Sequence, residues 1–116
     1  PRETVGMAYD VELADRIRQV VQAEPGVTEQ RMFGGLAFLI QGNMAVSASG
    51  QGGLMLRVDP AQSASLISER YVQRVEMRGR LMDGWLRVSP EALEGEDDLR
   101  RWVGHGVRYA RSLRPK

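Results

Sequence analysis

Apolar residues near the start of the chain recur with the period of an α-helix. The positions i, i+4, i+7 and i+8 of one face are taken by Leu13, Ile17, Val20 and Val21. Charged and amide side chains stand between them, which is typical of a helix with one buried face. Asp10 is a suitable N-cap and Pro25-Gly26 a suitable stop. The pattern predicts a helix over about residues 10 to 24.

The next part of the chain has the alternation of β-strands. Apolar runs or alternating apolar positions occupy three segments, 36–41, 44–48 and 54–58. Gly42-Asn43 is the predicted hairpin turn between the first two segments, because both residue types tolerate positive φ. Residues 28–33 are a further candidate strand, broken by Gly34-Gly35, so three or four strands are predicted here. Together these segments predict an antiparallel meander with one buried face.

The second half of the chain repeats the alternation of helix and strand. Asp59-Pro60 begins a short helix that runs to about Ile67, with the proline at the first helical position. Strands are predicted at 72–78 and 85–88. A last helix over about 97–113 has acidic residues at its start and arginines at its end, as the helix dipole favours.

The element order predicts a two-layer α+β domain, because a sheet must have its apolar face covered by helices. The expected core is formed by Leu13, Ile17, Val20, Phe38, Ile40, Val46, Leu56, Val58, Trp102, Val103 and Leu113. Two terminal helices cover one face of a sheet. Leu39 and Met55 alternate with core positions, so they are expected on a second apolar face. A second copy or a protein partner would bind this face if it is uncovered; the alternative is that loops or the short middle helix cover it.

Length and composition indicate a single globular domain. The chain has 116 residues, of which 42% are hydrophobic and 27% charged, values usual for one folded domain. Met7 is interpreted as the natural start. The domain is therefore expected to span residues 7–116, with residues 1–6 a cloning remnant or an alternative start.

Charge and cysteine content narrow the classes of function. The formal net charge is +1, whereas proteins that coat nucleic acid usually have a large positive excess. There is no cysteine, which excludes disulfides, thiolate catalysis and zinc–thiolate sites and favours a cytoplasmic location. No apolar run has the length of about 20 residues that crosses a bilayer, so no membrane association is expected.

Three segments of the chain resemble the N-terminal domain of the TfoX/Sxy family. They are MAYDVELADRIR (7–18), PGVTEQRMFGGLAFLIQGNMAV (25–46) and RYARSLRPK (108–116), of which RMFGGLAF followed by GNMAV is the most specific. The resemblance covers the chain after Met7. It implies the order α-β(3)-α-β(2)-α, similar in fold to type III secretion chaperones, with 28–33 as the irregular lead-in.

The same resemblance implies a role without catalysis. The family's best-known members regulate natural competence by helping the cAMP receptor protein at a class of promoters, and they have a second, helical domain. This sequence matches the first domain. The resemblance supplies no catalytic residue and no cofactor, and it implies a protein-interaction module, such as a transcriptional co-regulator.

The segment Arg31 to Gly35 is the most unusual part of the sequence. One interpretation is an exposed loop whose backbone amides contact a ligand, with Arg31 and Phe33 beside Gly34 and Gly35. The other is a bend before a core strand, with Phe33 buried and one glycine at positive φ. The first interpretation makes these residues candidates for an interaction site.

A basic face on the last helix provides the alternative function. Arg100, Arg101, Arg108 and Arg111 cluster on the side opposite its apolar residues, where they would contact nucleic acid phosphates. Arg78 and Arg80 with Trp85 could clamp a nucleotide, although a hairpin connection explains them more simply.

No residue set for catalysis or metal binding is evident. His105 is the only histidine, and neither a cysteine nor a second histidine is present to complete a metal site. The serines lack the context of a nucleophile elbow. We therefore expect no enzyme activity, no metal and no cofactor, while a small-ligand site near Arg31 to Gly35 stays open as an alternative.

Overall fold

The computed structural model describes residues 9–116, so the expected start at Met7 and the remnant before it lie outside the described residues. Helix α1 spans Val11–Val21. Asp10 caps it as predicted, because its carboxylate accepts a hydrogen bond from the backbone N–H of Leu13 at 3.1 Å. The other helices are α2, Pro60–Leu66, and α3, Glu96–Ser112, and a short 3₁₀ turn at Pro90–Leu93 precedes α3.

Six strands form one antiparallel sheet in the order β1-β2-β3-β4-β6-β5. Their bounds are Val27–Met32 (β1), Gly35–Ile40 (β2), Asn43–Ala48 (β3), Leu54–Arg57 (β4), Val72–Met77 (β5) and Arg80–Val88 (β6). The predicted α+β class and two-layer architecture are confirmed. The count of three strands before α2, which the resemblance implied, is wrong, because there are four.

The missed strand is β1, which is regular rather than an irregular lead-in. It pairs with β2 along its whole length, from Val27 opposite Ile40 to Met32 opposite Gly35. Its inner residues are polar and exposed because it is an edge strand. Arg18 of α1 holds it by two hydrogen bonds to Glu29, at 2.6 and 2.9 Å. These hydrogen bonds lower the pKa of the Glu29 carboxyl.

Each of three hairpins turns on two residues, of which the second is glycine. The pairs are Phe33-Gly34, Gln41-Gly42 and Arg78-Gly79, and all six residues have positive φ, as a type I′ turn requires. The predicted turn Gly42-Asn43 is wrong by one residue. Asn43 instead begins β3, is buried, and donates a hydrogen bond from its side chain to the carbonyl of Arg114 at 2.9 Å.

The main core lies between the helices and one face of the sheet. Most predicted core residues are fully buried there, including Ile17, Phe38 and Trp102. Val20 and Leu113 are only half-buried, which corrects the prediction for these two positions. They lie near the ends of α1 and α3, where less of each helix faces the sheet.

The second face of the sheet has a small core of its own. It consists of Ala37, Leu39, Met44, Met55 and Val75. Leu39 is 8% and Met55 5% exposed, so the expectation that they form an uncovered apolar face is wrong. The sheet curls instead, since one depression is lined both by Phe33, beside the edge strand β1, and by Met77 of the opposite edge strand β5.

A bulge divides β6 into two parts. Residues 85–88 pair with β4, and residues 86–88 also pair with β5. Residues 80–82 pair with β5 alone, because the register shifts between Arg74 and Val75. Gly84 occupies the bulge at φ 84°, where its N–H donates to Ser63 of α2 and its carbonyl accepts from Val58. The tip of the β5–β6 hairpin therefore extends beyond the rest of the sheet.

Two glycines of α3 predict opposite effects on stability. A Cβ at Gly106 would collide with the carbonyl oxygen of Ala45 and lie 2.7 Å from Val46 Cγ1, whereas a Cβ at Gly104 would meet only the end of the Arg108 side chain at 3.4 Å. We expect Gly106→Ala to destabilise by about 1–3 kcal/mol through overpacking. Gly104→Ala should stabilise by about 0.5–1 kcal/mol through helix propensity. Urea denaturation of both variants measures this, and equal shifts would contradict the packing of α3 on β3.

Candidate functional site

Phe33 combines backbone strain with exposure. It occupies the first central position of the β1–β2 turn at φ 55°, and 64% of its surface is exposed. A bulky residue at positive φ is an outlier that costs free energy, and such outliers cluster at functional positions. The bend before the core strand β2 and the positive φ of Gly34 agree with the second interpretation, but its burial of Phe33 is wrong. The segment is an exposed tight turn.

The residues around Phe33 have distinct roles in this turn. Gly34 is exposed at φ 76°, while Gly35 is buried because any Cβ there would collide with the carbonyl of Ala48. Arg31 is exposed and lies opposite Leu36, whose side chain belongs to the main core. Arg31 thus lies on the helix side of β1, away from the second core. Of the predicted candidates, only Phe33 and the buried Met55 line the depression on the second face.

That depression, called the groove below, crosses the curled face of the sheet. Its volume is about 90 Å³, and its floor includes Met55 and Val75. Its sides bear two exposed apolar side chains, Phe33 and Met77, the second of which is 39% exposed. Ser47, Ser49, Gln51, Glu76 and Arg87 complete the lining. The groove thus combines exposed apolar side chains with about as much polar surface, a mixture that is common in protein–protein interfaces.

A larger cavity of about 500 Å³, called the β5 cleft below, lies next to the groove. It shares three lining residues with the groove, namely Gln51, Glu76 and Arg87. Its other lining residues are Ile67, Val72, Gln73, Arg74 and Leu81. Leu81 is 63% exposed. The two cavities together place apolar, amide and charged groups along one side of the sheet.

The arginines of α3 are largely engaged within the chain. Arg101 donates two hydrogen bonds to Glu69, at 3.0 and 3.2 Å, and Arg111 donates to Glu24 at 2.8 Å. Arg108 lies 3.1 Å from the Nδ1 atom of His105. Arg100 is exposed, and no carboxylate of residues 9–116 pairs with it. The predicted basic face is thus partly neutralised by its own ion pairs.

Trp85 is not a free stacking surface. It is half-buried against the second core, and the guanidinium of Arg57 lies 5.3 Å from its ring centroid. Arg78 lies in the β5–β6 turn and Arg80 begins β6. This agrees with the hairpin connection rather than with a nucleotide clamp. Among residues 9–116, no group of three or more potential ligands could hold a metal ion.

Comparison with known families identifies the domain. The family model described as TfoX N-terminal domain matches residues 19–110. The chain therefore belongs to the TfoX N-terminal domain family. Neither the curated proteins nor the solved structures give a match, so the likeness to secretion chaperones stays a prediction. Within residues 9–116, no helix combines the length and apolar character needed to cross a bilayer.

Sequence reasoning missed most of the residues that line the two cavities, including Met77, Glu76 and Arg87. Met77 and Glu76 belong to a predicted strand but gave no functional signal, and Arg87 was read only as a strand residue. The alternation of Leu86, Arg87 and Val88 does place Arg87 on the face opposite the main core. What Arg87 contacts on that face depends on the curl of the sheet, which no local pattern encodes.

His105 predicts a pH dependence of stability. The pKa of the His105 imidazole lies below the usual 6.5, first because the ring is partly buried and then because Arg108 and Arg101 are positively charged. Below pH 6.5 the unfolded state then binds more protons than the folded state, so stability is complete above that pH and falls as pH decreases through the lower folded pKa. In urea denaturation between about pH 7 and 5, His105→Asn should flatten this decrease. Parallel curves for the variant and the parent would contradict the assignment.

Proposed function

We propose that this domain is a non-enzymatic protein-interaction module that binds its partner through the groove between Phe33 and Met77. The observation that supports this most is the strained and exposed Phe33. Asparagine or glycine would fit the same turn position at lower cost. The Phe33 side chain belongs to neither core, so we infer that it serves a contact with another molecule.

The geometry around Phe33 matches an interaction hot spot. Aromatic anchors beside a shaped apolar depression carry much of the free energy in protein interfaces. Met77 adds an adaptable side chain across the groove. Family membership supports a partner in the transcription machinery of the cytoplasm, as the competence regulators suggest, and a transcriptional co-regulator is the finer form of the proposal.

The alternative of nucleic-acid binding through α3 has less support. Arg101 and Arg111 already bind Glu69 and Glu24, so phosphate contacts by these two arginines would have to replace existing ion pairs. The groove offers an apolar surface that needs no such exchange. The predicted self-association is included in this proposal, with a second copy as one kind of protein partner.

The substitution Phe33→Asn tests the proposal, because stability and function should change in opposite directions. Asparagine tolerates the left-handed conformation, so unfolding should become less favourable by up to about 1 kcal/mol. Capture of partner proteins by the immobilised domain, measured by quantitative mass spectrometry, should fall to background. Denaturation midpoints of the same samples provide the stability change.

Gln41→Asn is the matched control. Gln41 occupies the corresponding position of the β2–β3 turn at φ 52°, so this change should give a similar gain in stability while capture stays at the parent level. If Phe33→Asn stabilises the domain and captures the same partners as Gln41→Asn, Phe33 is not an interaction residue. A loss of stability in Phe33→Asn would show that Phe33 supports the fold.

A further inference from the structure

Arg87 is the one half-buried arginine among residues 9–116 whose guanidinium has neither a carboxylate partner nor an aromatic ring against it. Three of the other four have carboxylates: Arg16–Glu96 at 3.6 Å, Arg74–Asp83 at 3.1 Å and Arg111–Glu24 at 2.8 Å. Arg57 lies over the rings of Trp85 and Tyr109, at 5.3 and 5.5 Å. Within this part of the chain, Arg87 donates only to the hydroxyl of Ser49, at 2.7 Å.

A half-buried guanidinium with one neutral partner retains most of its donors for another acceptor. Burying a charge without a counter-charge costs free energy, which an incoming carboxylate would offset. Ser49 holds the guanidinium in place, since its hydroxyl also accepts from the backbone N–H of Gln51 at 3.1 Å. The donors of Arg87 thus lie at the junction of the groove and the β5 cleft.

The β5 cleft lies along an edge strand. β5 pairs with β6 on one side, and no strand of the described residues pairs with it on the other. An edge strand has unpaired backbone donors and acceptors, which an extended peptide can satisfy by adding a strand. Gln51 and Gln73 provide side-chain amides in this cleft, and Ile67 and Leu81 provide apolar contacts.

The net charge of the β5–β6 hairpin indicates whether an acidic or a basic peptide would bind beside it. β5, β6 and the turn between them contain four arginines and two carboxylates, namely Arg74, Arg78, Arg80 and Arg87 against Glu76 and Asp83. Asp83 already pairs with Arg74. The remaining excess is positive, so an acidic segment complements this edge and a basic segment does not.

We propose that an extended, acidic peptide segment of a protein partner lies in the β5 cleft as an added strand and places a carboxylate on Arg87. This inference rests on the proposed function, and it names the chemistry of the partner. Glu76 lines the same cleft and is not within 4 Å of the Arg87 nitrogens. It repels an acidic peptide, while Arg87 attracts it.

Fluorescence anisotropy with short labelled peptides tests this. In the probes, valine alternates with aspartate, serine or lysine, and both termini are blocked. The aspartate peptide should bind the whole chain more tightly than the serine peptide, and the lysine peptide should not bind. Arg87→Gln should weaken the aspartate peptide about tenfold or more, as expected for a lost charged hydrogen bond. Glu76→Gln should strengthen it about two- to fivefold.

Arg100→Gln is the control for net charge. Arg100 is exposed on α3, in the other layer of the fold, so its loss should leave the affinity unchanged. Hydrogen exchange should show new protection of β5 amides in the complex. Thermal denaturation shows whether Arg87→Gln is folded. If that variant is unfolded, the stronger peptide binding expected of Glu76→Gln still tests the proposal.

Several results would overturn the proposal. They are an aspartate peptide that binds no better than the serine peptide, equal loss in Arg87→Gln and Arg100→Gln, or unchanged exchange of the β5 amides. Displacement by acetate at the peptide's own concentration would assign Arg87 to a small organic acid. A dimer that Arg87→Gln dissociates would assign the cleft to a second copy, and salt-sensitive, Arg87-dependent binding of a labelled DNA strand would assign it to nucleic acid.

The Phe33→Asn capture experiment separates this inference from the proposed function. If capture depends on Phe33 but peptide binding is unchanged in Arg87→Gln, only the acidic-peptide proposal is overturned. If peptide binding depends on Arg87 but capture is unchanged in Phe33→Asn, only the proposal that the groove binds the partner is overturned.

Discussion

The fold depends on one constraint, which is that the helices cover only one face of a six-stranded sheet. The apolar side chains of β2, β3 and β4 point to both faces, so the second face also has to be removed from water. Within residues 9–116, no further layer of helices or strands does this. The sheet curls instead, so that its own side chains cover one another, and the small residues Ala37 and Ser47 are buried on this face.

The curl determines where the functional groups meet. It brings the β1–β2 turn and β5, which belong to opposite edges of the sheet, to one depression. It buries Leu39 and Met55, which simple alternation would leave exposed. Phe33 and Met77 stay exposed at the rims of this face. The proposed interaction surface thus lies at the rims of the sheet rather than on its face.

The α+β class, the helices and most of the main core could be predicted from the sequence, because helical periodicity and caps are local signals. Strand β1 was not recognised as regular, since an edge strand needs no apolar alternation. The turn at Gln41-Gly42 was placed one residue late because asparagine also favours positive φ.

The candidate site was predicted only in part. RMFGG was recognised as unusual from its composition, and Phe33 is indeed exposed. Arg87 and Glu76 could not be found, because their common cleft joins segments that are distant in the sequence. The arginines of α3 look free in the sequence, whereas their partners Glu24 and Glu69 come from other elements.

The bulge in β6 gives the sheet an uneven stiffness. Residues 85–88 of β6 are hydrogen-bonded to β4, and Gly84 is held by Ser63 of α2, whereas residues 80–82 pair with β5 alone. Two paired strands alone are marginally stable in water. The hairpin is held at the bulge and, in the part of the chain that the structure describes, has no neighbouring strand at its tip, Arg78-Gly79. The β5 cleft lies along its length. Anything that binds along β5 therefore supplies the lateral support that the rest of the sheet receives from neighbouring strands.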